Sequence, residues 1–190
     1  MEKGNIIILN GVSSSGKTTL AKTLQGRLSH PYFHMDVDTF CLMSPEKFNV
    51  DNYSVQHNFV SNMFHAVKLF SDLGFNLVVP CVFLEDSGAG GSDKFNFLDK
   101  CVNLLHSYPV LFVHVKCPVE ELRRREKERG DREIGGAENM LSELIPQNIY
   151  DITVDTHNHS IEECADKIIE LLDYPDKFTA FKTLWSQRTV

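Results

Sequence analysis

Ile6-Ile7-Ile8-Leu9-Asn10-Gly11-Val12-Ser13-Ser14-Ser15-Gly16-Lys17-Thr18-Thr19-Leu20 is the stretch that decides the fold. Four consecutive apolar residues predict a buried parallel strand, because a strand covered on both faces carries no polar alternation. The next eight residues, Gly11 to Thr18, spell G-x-x-x-x-G-K-[ST], the P-loop pattern. Its glycines let the backbone curl so that successive N–H groups face phosphate oxygens, and the positive end of the following helix attracts the same charge. The residues expected to hold a nucleoside triphosphate are Gly11, Ser13, Ser14, Ser15, Gly16, Lys17, Thr18 and Thr19. Lys17 would reach the β- and γ-phosphates, and the Thr18 hydroxyl would ligate Mg²⁺.

Working outward, Leu20, Leu24 and Leu28 lie on one face of a helix that ends at Ser29-His30-Pro31. Residues 32–35 read as a second strand closing at Asp36-Val37-Asp38. A long amphipathic helix over 54–73 follows, with Gly74 as its C-cap. The third buried strand starts at Asn76; Pro80 cannot donate a ladder hydrogen bond, so the strand is expected to end near Val79. Residues 87–92 form a Gly/Ser loop, 93–106 a helix and 109–116 a fourth strand. Pro118 sits at the first position of a strongly charged helix over 119–129. A short strand at 152–154 precedes a helix over 160–172 with Ser160 and Glu163 as its capping box. Buried strands alternating with helices predict an α/β fold, a five-stranded parallel sheet with helices on both faces, of the P-loop NTPase type. Residues 1–173 are expected to form this domain, with a lid around 123–140. Residues 174–190, carrying Phe178, Phe181, Leu184 and Trp185 at helical spacing, form a helical extension docked on it.

At 190 residues, 42% hydrophobic and 24% charged, the chain has the composition of an ordinary globular protein, which excludes disordered and fibrous classes. A net charge of −7 argues against a nucleic-acid partner, since phosphate backbones need a basic footprint. The five cysteines are scattered, odd in number and without a C-x-x-C pair, so a reducing, cytoplasmic setting is expected. The N-terminal apolar run is too short for a signal peptide or a membrane span.

Ligands of open parallel sheets bind outside the carboxyl ends of the strands, where Asp36 and Asp38 fall. Asp38 suits a base that takes a hydroxyl proton during phosphoryl transfer, and Asp36 suits a contact to hydrated Mg²⁺. In the charged helix, Glu120/Arg124 and Glu121/Arg125 have the favourable i, i+4 order for surface pairing. Arg125 and Arg129 share one face, and Gly130 lets Asp131-Arg132 turn away. Arginines on a lid can neutralise charge on a transferring phosphoryl group. Lys17, Asp38, Arg129 and Arg132 are therefore the catalytic candidates, with Arg125 assigned to the nucleotide.

The P-loop, Val37-Asp38, Val82-Phe83-Leu84, Arg125-Glu126, Arg129-Gly130-Asp131-Arg132, Tyr150-Asp151, Val154-Asp155-Thr156 and Glu163-Cys164-Ala165 together resemble the chloramphenicol phosphotransferase family. That resemblance spans roughly residues 5–170. It implies a kinase of the nucleotide- and shikimate-kinase type that moves the γ-phosphoryl group of ATP, with Mg²⁺, to a hydroxyl of a small molecule. It also implies Asp38 as general base and the Arg-Gly-Asp-Arg arginines as lid. Two departures stand out. Pro80-Cys81 occupies the place of the family's acidic residues on the third strand, and Asp36 stands where the resistance enzyme has glycine. The resulting Asp-x-Asp is similar to shikimate and gluconate kinases, and Asp36 is expected to supply the Mg²⁺ contact that the third strand has lost, with Glu85 and Asp86 as weaker candidates. The segment between Phe40 and Tyr53, with Met43 and Phe48, is expected over the acceptor pocket; its composition differs from the resistance enzyme, so the acceptor is left open. A kinase of nucleotide sugars, as in zeta-type toxins, and a nucleotide-binding module without turnover remain as alternatives.

Overall fold

The computed structural model describes residues 2–43, 53–84, 97–130 and 134–188, the side chains of residues 53–59 and 147 apart. The elements in chain order are β1 (Ile6–Asn10), α1 (Lys17–Arg27), β2 (Tyr32–His34), α2 (Val37–Cys41), α3 (Tyr53–Asp72), β3 (Asn76–Cys81), α4 (Phe97–Leu105) and β4 (Val110–Lys116). They continue with α5 (Val119–Arg129), α6 (Gly136–Ser142), β5 (Ile152–Asp155), α7 (Ile161–Leu172) and α8 (Ala180–Ser186). All strand pairs are parallel and the order is β2-β3-β1-β4-β5. β1, the all-apolar run, is central and every residue in it is buried.

Strand register builds the core in rows. On one face Ile6 stands level with Leu77 and Val110, and Ile8 with Val79 and Phe112. These rows are covered by Met63, Phe64 and Val67 of α3, Leu98, Cys101, Val102 and Leu105 of α4, and Phe181 and Leu184 of α8. The other face, with Ile7, Leu9, Val78, Leu111 and Val113, packs against α1 and α7. The next row on the first face is polar: Asn10 stands level with Cys81 and His114. The apolar core thus stops one residue short of Gly11, and hydrogen-bonding groups begin where the P-loop begins.

β3 runs through Pro80 to Cys81 rather than stopping near Val79. Alternation explains it: Leu77 N donates to Asn5 on the β1 side, whereas Val78 faces β2 and accepts from Met35 N. Pro80 has the parity of Val78, so its donor-free nitrogen faces the side where β2 has already ended at His34. Pro118 is the N-cap of α5 rather than its first residue. The capping box of α7 forms in both directions, Ser160 accepting from Glu163 N at 3.1 Å and Glu163 accepting from Ser160 N at 2.8 Å.

The C-terminal segment is bound at both its backbone and its side chains. Asp151 accepts from Phe112 N with one oxygen and from Thr179 N and Ala180 N with the other, each at 2.8 Å. Phe181 meets Phe112 edge to face, with ring centroids 5.2 Å apart. Trp185 stacks on His106, the residue after α4, at 4.3 Å. Among the described residues no helix is long and apolar enough to cross a membrane.

Candidate active site

The loop from Gly11 to Gly16 carries the geometry that its sequence demands. A Cβ on Gly11 would lie 2.5 Å from the Val115 carbonyl and 2.9 Å from Ser15 Oγ, so only glycine lets the loop pass this close to β4. Ser14 (φ 60°) and Gly16 (φ 97°) both take left-handed backbone, the alternation that turns successive N–H groups into one concavity. The hydroxyls of Ser14 and Ser15 are buried there without a hydrogen-bond partner among the described residues. Buried donors left unmatched inside an amide cradle fit phosphate oxygens. Lys17 Nζ folds back to the Val12 carbonyl at 2.8 Å.

A cavity of about 400 Å³ opens beside this loop, lined by Ser14, Gly16, Lys17, Thr18, Thr19, Arg125, Glu128, Arg129, Thr156 and Ile161. The structure therefore brings Lys17, Thr18, Thr19, Arg125 and Arg129 to one cavity. Arg125 is held firmly: Nε donates to Glu121 at 2.7 Å, Nη1 to Thr156 Oγ1 at 3.2 Å and to the Ser14 carbonyl at 3.3 Å, and Nη2 to the Thr156 carbonyl at 2.9 Å. Thr156 Oγ1 in turn donates to the Ser15 carbonyl at 2.8 Å. Arg125 and Thr156 thus fasten the P-loop to the end of β5. Hydrogen bonding from Arg124, with Arg125 adding to it, holds the Glu121 carboxyl down at about 2. Its contribution is present above the ordinary glutamate range and is lost only as pH falls through about 2. Arg124 pairs with Glu121 and Glu128, not with Glu120 as the helical spacing suggested.

Asp36 and Asp38 do not end a strand; they open α2. Asp36 is its N-cap and accepts from Thr39 N at 2.7 Å, while its other oxygen lies 3.3 Å from His34 Nε2. The short polar side chain before a helix start satisfies an amide that the helix leaves free. Asp38, two residues further, is exposed, and its carboxylate has no hydrogen-bond or ion-pair partner among the described residues. Cys81, the last residue of β3, stands where the family resemblance implies a carboxylate. Burial pushes its thiol well up, and Lys17 counters this only in part, so the position carries no charge at neutral pH. Arg132, Glu85, Asp86 and most of the segment expected over the acceptor pocket lie outside the described residues.

Several groups at the site escaped the sequence reading. Glu126 is 1% exposed and accepts from Gly135 N and Ala137 N, each at 2.8 Å, joining the end of α5 to the start of α6. Its clues were its place in the Arg125-Glu126 pair and its spacing four residues after Leu122, on the buried side of a charged helix. Arg123 adds a second tie to α6 through Glu138. Asn10 is fully buried; its side-chain oxygen accepts from Phe83 N and its amide donates to Tyr150 Oη, both at 2.7 Å. A polar residue closing an apolar strand was the available signal.

A parallel sheet ordered 2-3-1-4-5, with a phosphate cradle between its central strand and α1, is the architecture of P-loop kinases. The profile of the chloramphenicol phosphotransferase-like proteins matches residues 4–173, and the chain belongs to that family. A Mycobacterium tuberculosis protein whose name gives it provisionally as an O-phosphotransferase is 25% identical over 195 residues, covering 90% of this chain and 83% of the relative. An adenylyl-sulfate kinase of Clostridium acetobutylicum is 26% identical over 183 residues, covering 90% and 84%. Among solved structures, the Mycobacterium tuberculosis APS kinase in complex with AMPPNP and APS superposes with a TM-score of 0.67 at 19% identity, covering 91% of this chain and 99% of that one. The chain is an enzyme of the kinase type, a phosphotransferase.

Proposed function

We propose that the chain transfers the γ-phosphoryl group of ATP to a hydroxyl of a small molecule. The observation that carries this reading is the pairing of two features at the carboxyl end of the sheet: a P-loop with unmatched buried hydroxyls, and a free carboxylate, Asp38, on the first turn of α2. ATP supplies the phosphoryl group. The amides of residues 13–18 and Lys17 hold its phosphates, while Arg125 and Thr156 keep the loop in shape. Asp38 orients the acceptor hydroxyl and takes its proton, a role that needs a carboxylate able to reach a neutral ligand. Arg129 and Arg132 close over the transferring group from the lid around 123–140. Thr18 and Asp36 are the residues that would hold Mg²⁺, which would neutralise charge on the phosphates. The whole chain works as one unit, residues 174–190 included, in a cytoplasmic setting.

The test is a screen of hydroxyl-bearing metabolites with ATP and Mg²⁺ that compares wild type with Asp38→Asn and Lys17→Met. Asp38→Asn should lower kcat by roughly 10²–10⁴ while leaving ATP affinity in place. ATP binding without phosphorylated product from any acceptor would show a nucleotide-binding module instead. Asp36→Asn keeps the cap acceptor for Thr39 N and removes only charge. It should raise the Mg²⁺ concentration needed for half-maximal turnover, and unchanged Mg²⁺ dependence would remove Asp36 from the metal site.

A further inference from the structure

A second cavity, of about 230 Å³, lies across the P-loop from the first and shares no lining residue with it. Its walls are the carboxyl end of β4 as far as Lys116, the turn from Cys117 into α5, Val12 of the loop, and the return from α6 with Leu144 and Ile145. His114, from the polar row of the sheet, lines it as well. That residue is 2% exposed, and its Nδ1 is buried with no hydrogen-bond partner among the described residues. Tyr150 covers one face of the ring, 4.8 Å away and 16° from parallel. A buried ring nitrogen without a partner, on a residue that lines a largely apolar cavity, is a hydrogen-bonding group left unmatched by the protein itself.

We infer that this cavity is the acceptor's specificity pocket, taking an uncharged, ring-sized apolar group with one hydrogen-bonding atom for His114 Nδ1. The inference rests on the kinase reading, since a phosphoryl transfer needs a second ligand on the far side of the phosphate cradle from the nucleotide. Three observations set the chemistry. A cavity of about 150 Å³ holds a benzene ring, so this one holds a ring with a substituent and is too small for a whole ligand of ordinary size. Burial, reinforced by Lys116, keeps the His114 pKa below its usual value, so the ring is neutral at neutral pH and suits an uncharged partner. Ile145 belongs to the same packed cluster as Val37 and Phe40 of α2, so the pocket and the helix carrying Asp38 rest on one layer of the core.

The test uses 4-fluorophenol as a neutral probe and 4-fluorobenzoate as its anionic counterpart, both followed by fluorine NMR on the full chain. Saturable binding of the phenol is expected, with the benzoate at least about tenfold weaker. Leu144→Trp fills the cavity and should abolish phenol binding; His114→Leu keeps the volume, removes the nitrogen, and should weaken it about fivefold or more. ATP affinity should stay within about twofold in both variants, which also shows that they are folded. Phenol binding equal in wild type and both variants, benzoate binding as tight as phenol, or no saturable phenol binding overturns the inference. Once an acceptor is found, its KM should rise about tenfold or more in Leu144→Trp with the KM for ATP unchanged. Turnover with unchanged acceptor KM would sink the pocket and leave the kinase. Phenol binding in a chain that turns over no acceptor would sink the assignment to an acceptor, along with the kinase.

Discussion

Replacing Glu126 should loosen the root of the lid by an amount that can be worked from its two bonds. The carboxylate is buried and accepts two backbone N–H groups at 2.8 Å, from the N-cap Gly135 and from Ala137 in the first turn of α6. Hydrogen bonds to a charged group contribute about 1.5–3 kcal/mol each, so the pair is worth about 3 kcal/mol at the lower end, which allows for the cost of burying the charge. Glu126→Ala removes both acceptors and should raise hydrogen exchange at the Gly135 and Ala137 amides by more than about a hundredfold. Glu126→Gln keeps one oxygen, loses about half the energy, and should raise exchange about tenfold. Exchange in β1 and β4 should stay within about twofold of wild type, because both hydrogen bonds of Glu126 run to the start of α6. Turnover should fall with the same ranking, since Arg129 ends the helix that Glu126 anchors. Unchanged exchange at Ala137 in the alanine variant would refute the reasoning: the carboxylate would then not be what holds α6.

Arg125→Lys should raise the KM for ATP about tenfold, because an ammonium cannot span Glu121, Ser14 and Thr156 at once; titration of nucleotide binding reads it. Asp151→Ala removes the acceptor of three backbone N–H groups and should cost about 3 kcal/mol in urea unfolding, with the greatest gain in exchange at Thr179 and Ala180. His114 has a pKa lowered by burial, so its stabilising effect is complete above the unfolded value near 6.5 and is lost as pH falls from there through the folded value. Between pH 6.5 and 5, wild type should lose stability by up to about 1.4 kcal/mol per pH unit more than His114→Leu, in urea titrations at each pH.

The central strand, the phosphate cradle and the capping box of α7 were legible because each is a local pattern whose physics acts within a few residues. Asp36 was legible as an acidic residue near the site. Its use as a helix cap depends on where β2 stops, and β2 is only three residues long. Pro80 misled for a related reason: a missing N–H breaks a ladder only when a neighbour is there to receive it, and strand lengths on either side are not local information. Glu126, Asn10 and His114 were invisible for another reason. Each is a polar residue in an apolar setting whose neighbours come from outside its own element, the start of α6 for Glu126 and Tyr150 for both Asn10 and His114. Spacing along one helix or strand says that such a residue is buried; only the register of the sheet says what it meets.

The end of the chain carries a consequence for any comparison within the family. The family profile stops at residue 173. Packing does not: Phe178 fills the side of the sheet shared by α1 and α7, while Phe181 and Leu184 fill the opposite side. Two separate seams of the molecule are therefore stoppered by one tail of fewer than twenty residues. A relative whose tail differs must close both seams by other means, and a protease that clipped this tail at Tyr174 would open both at once.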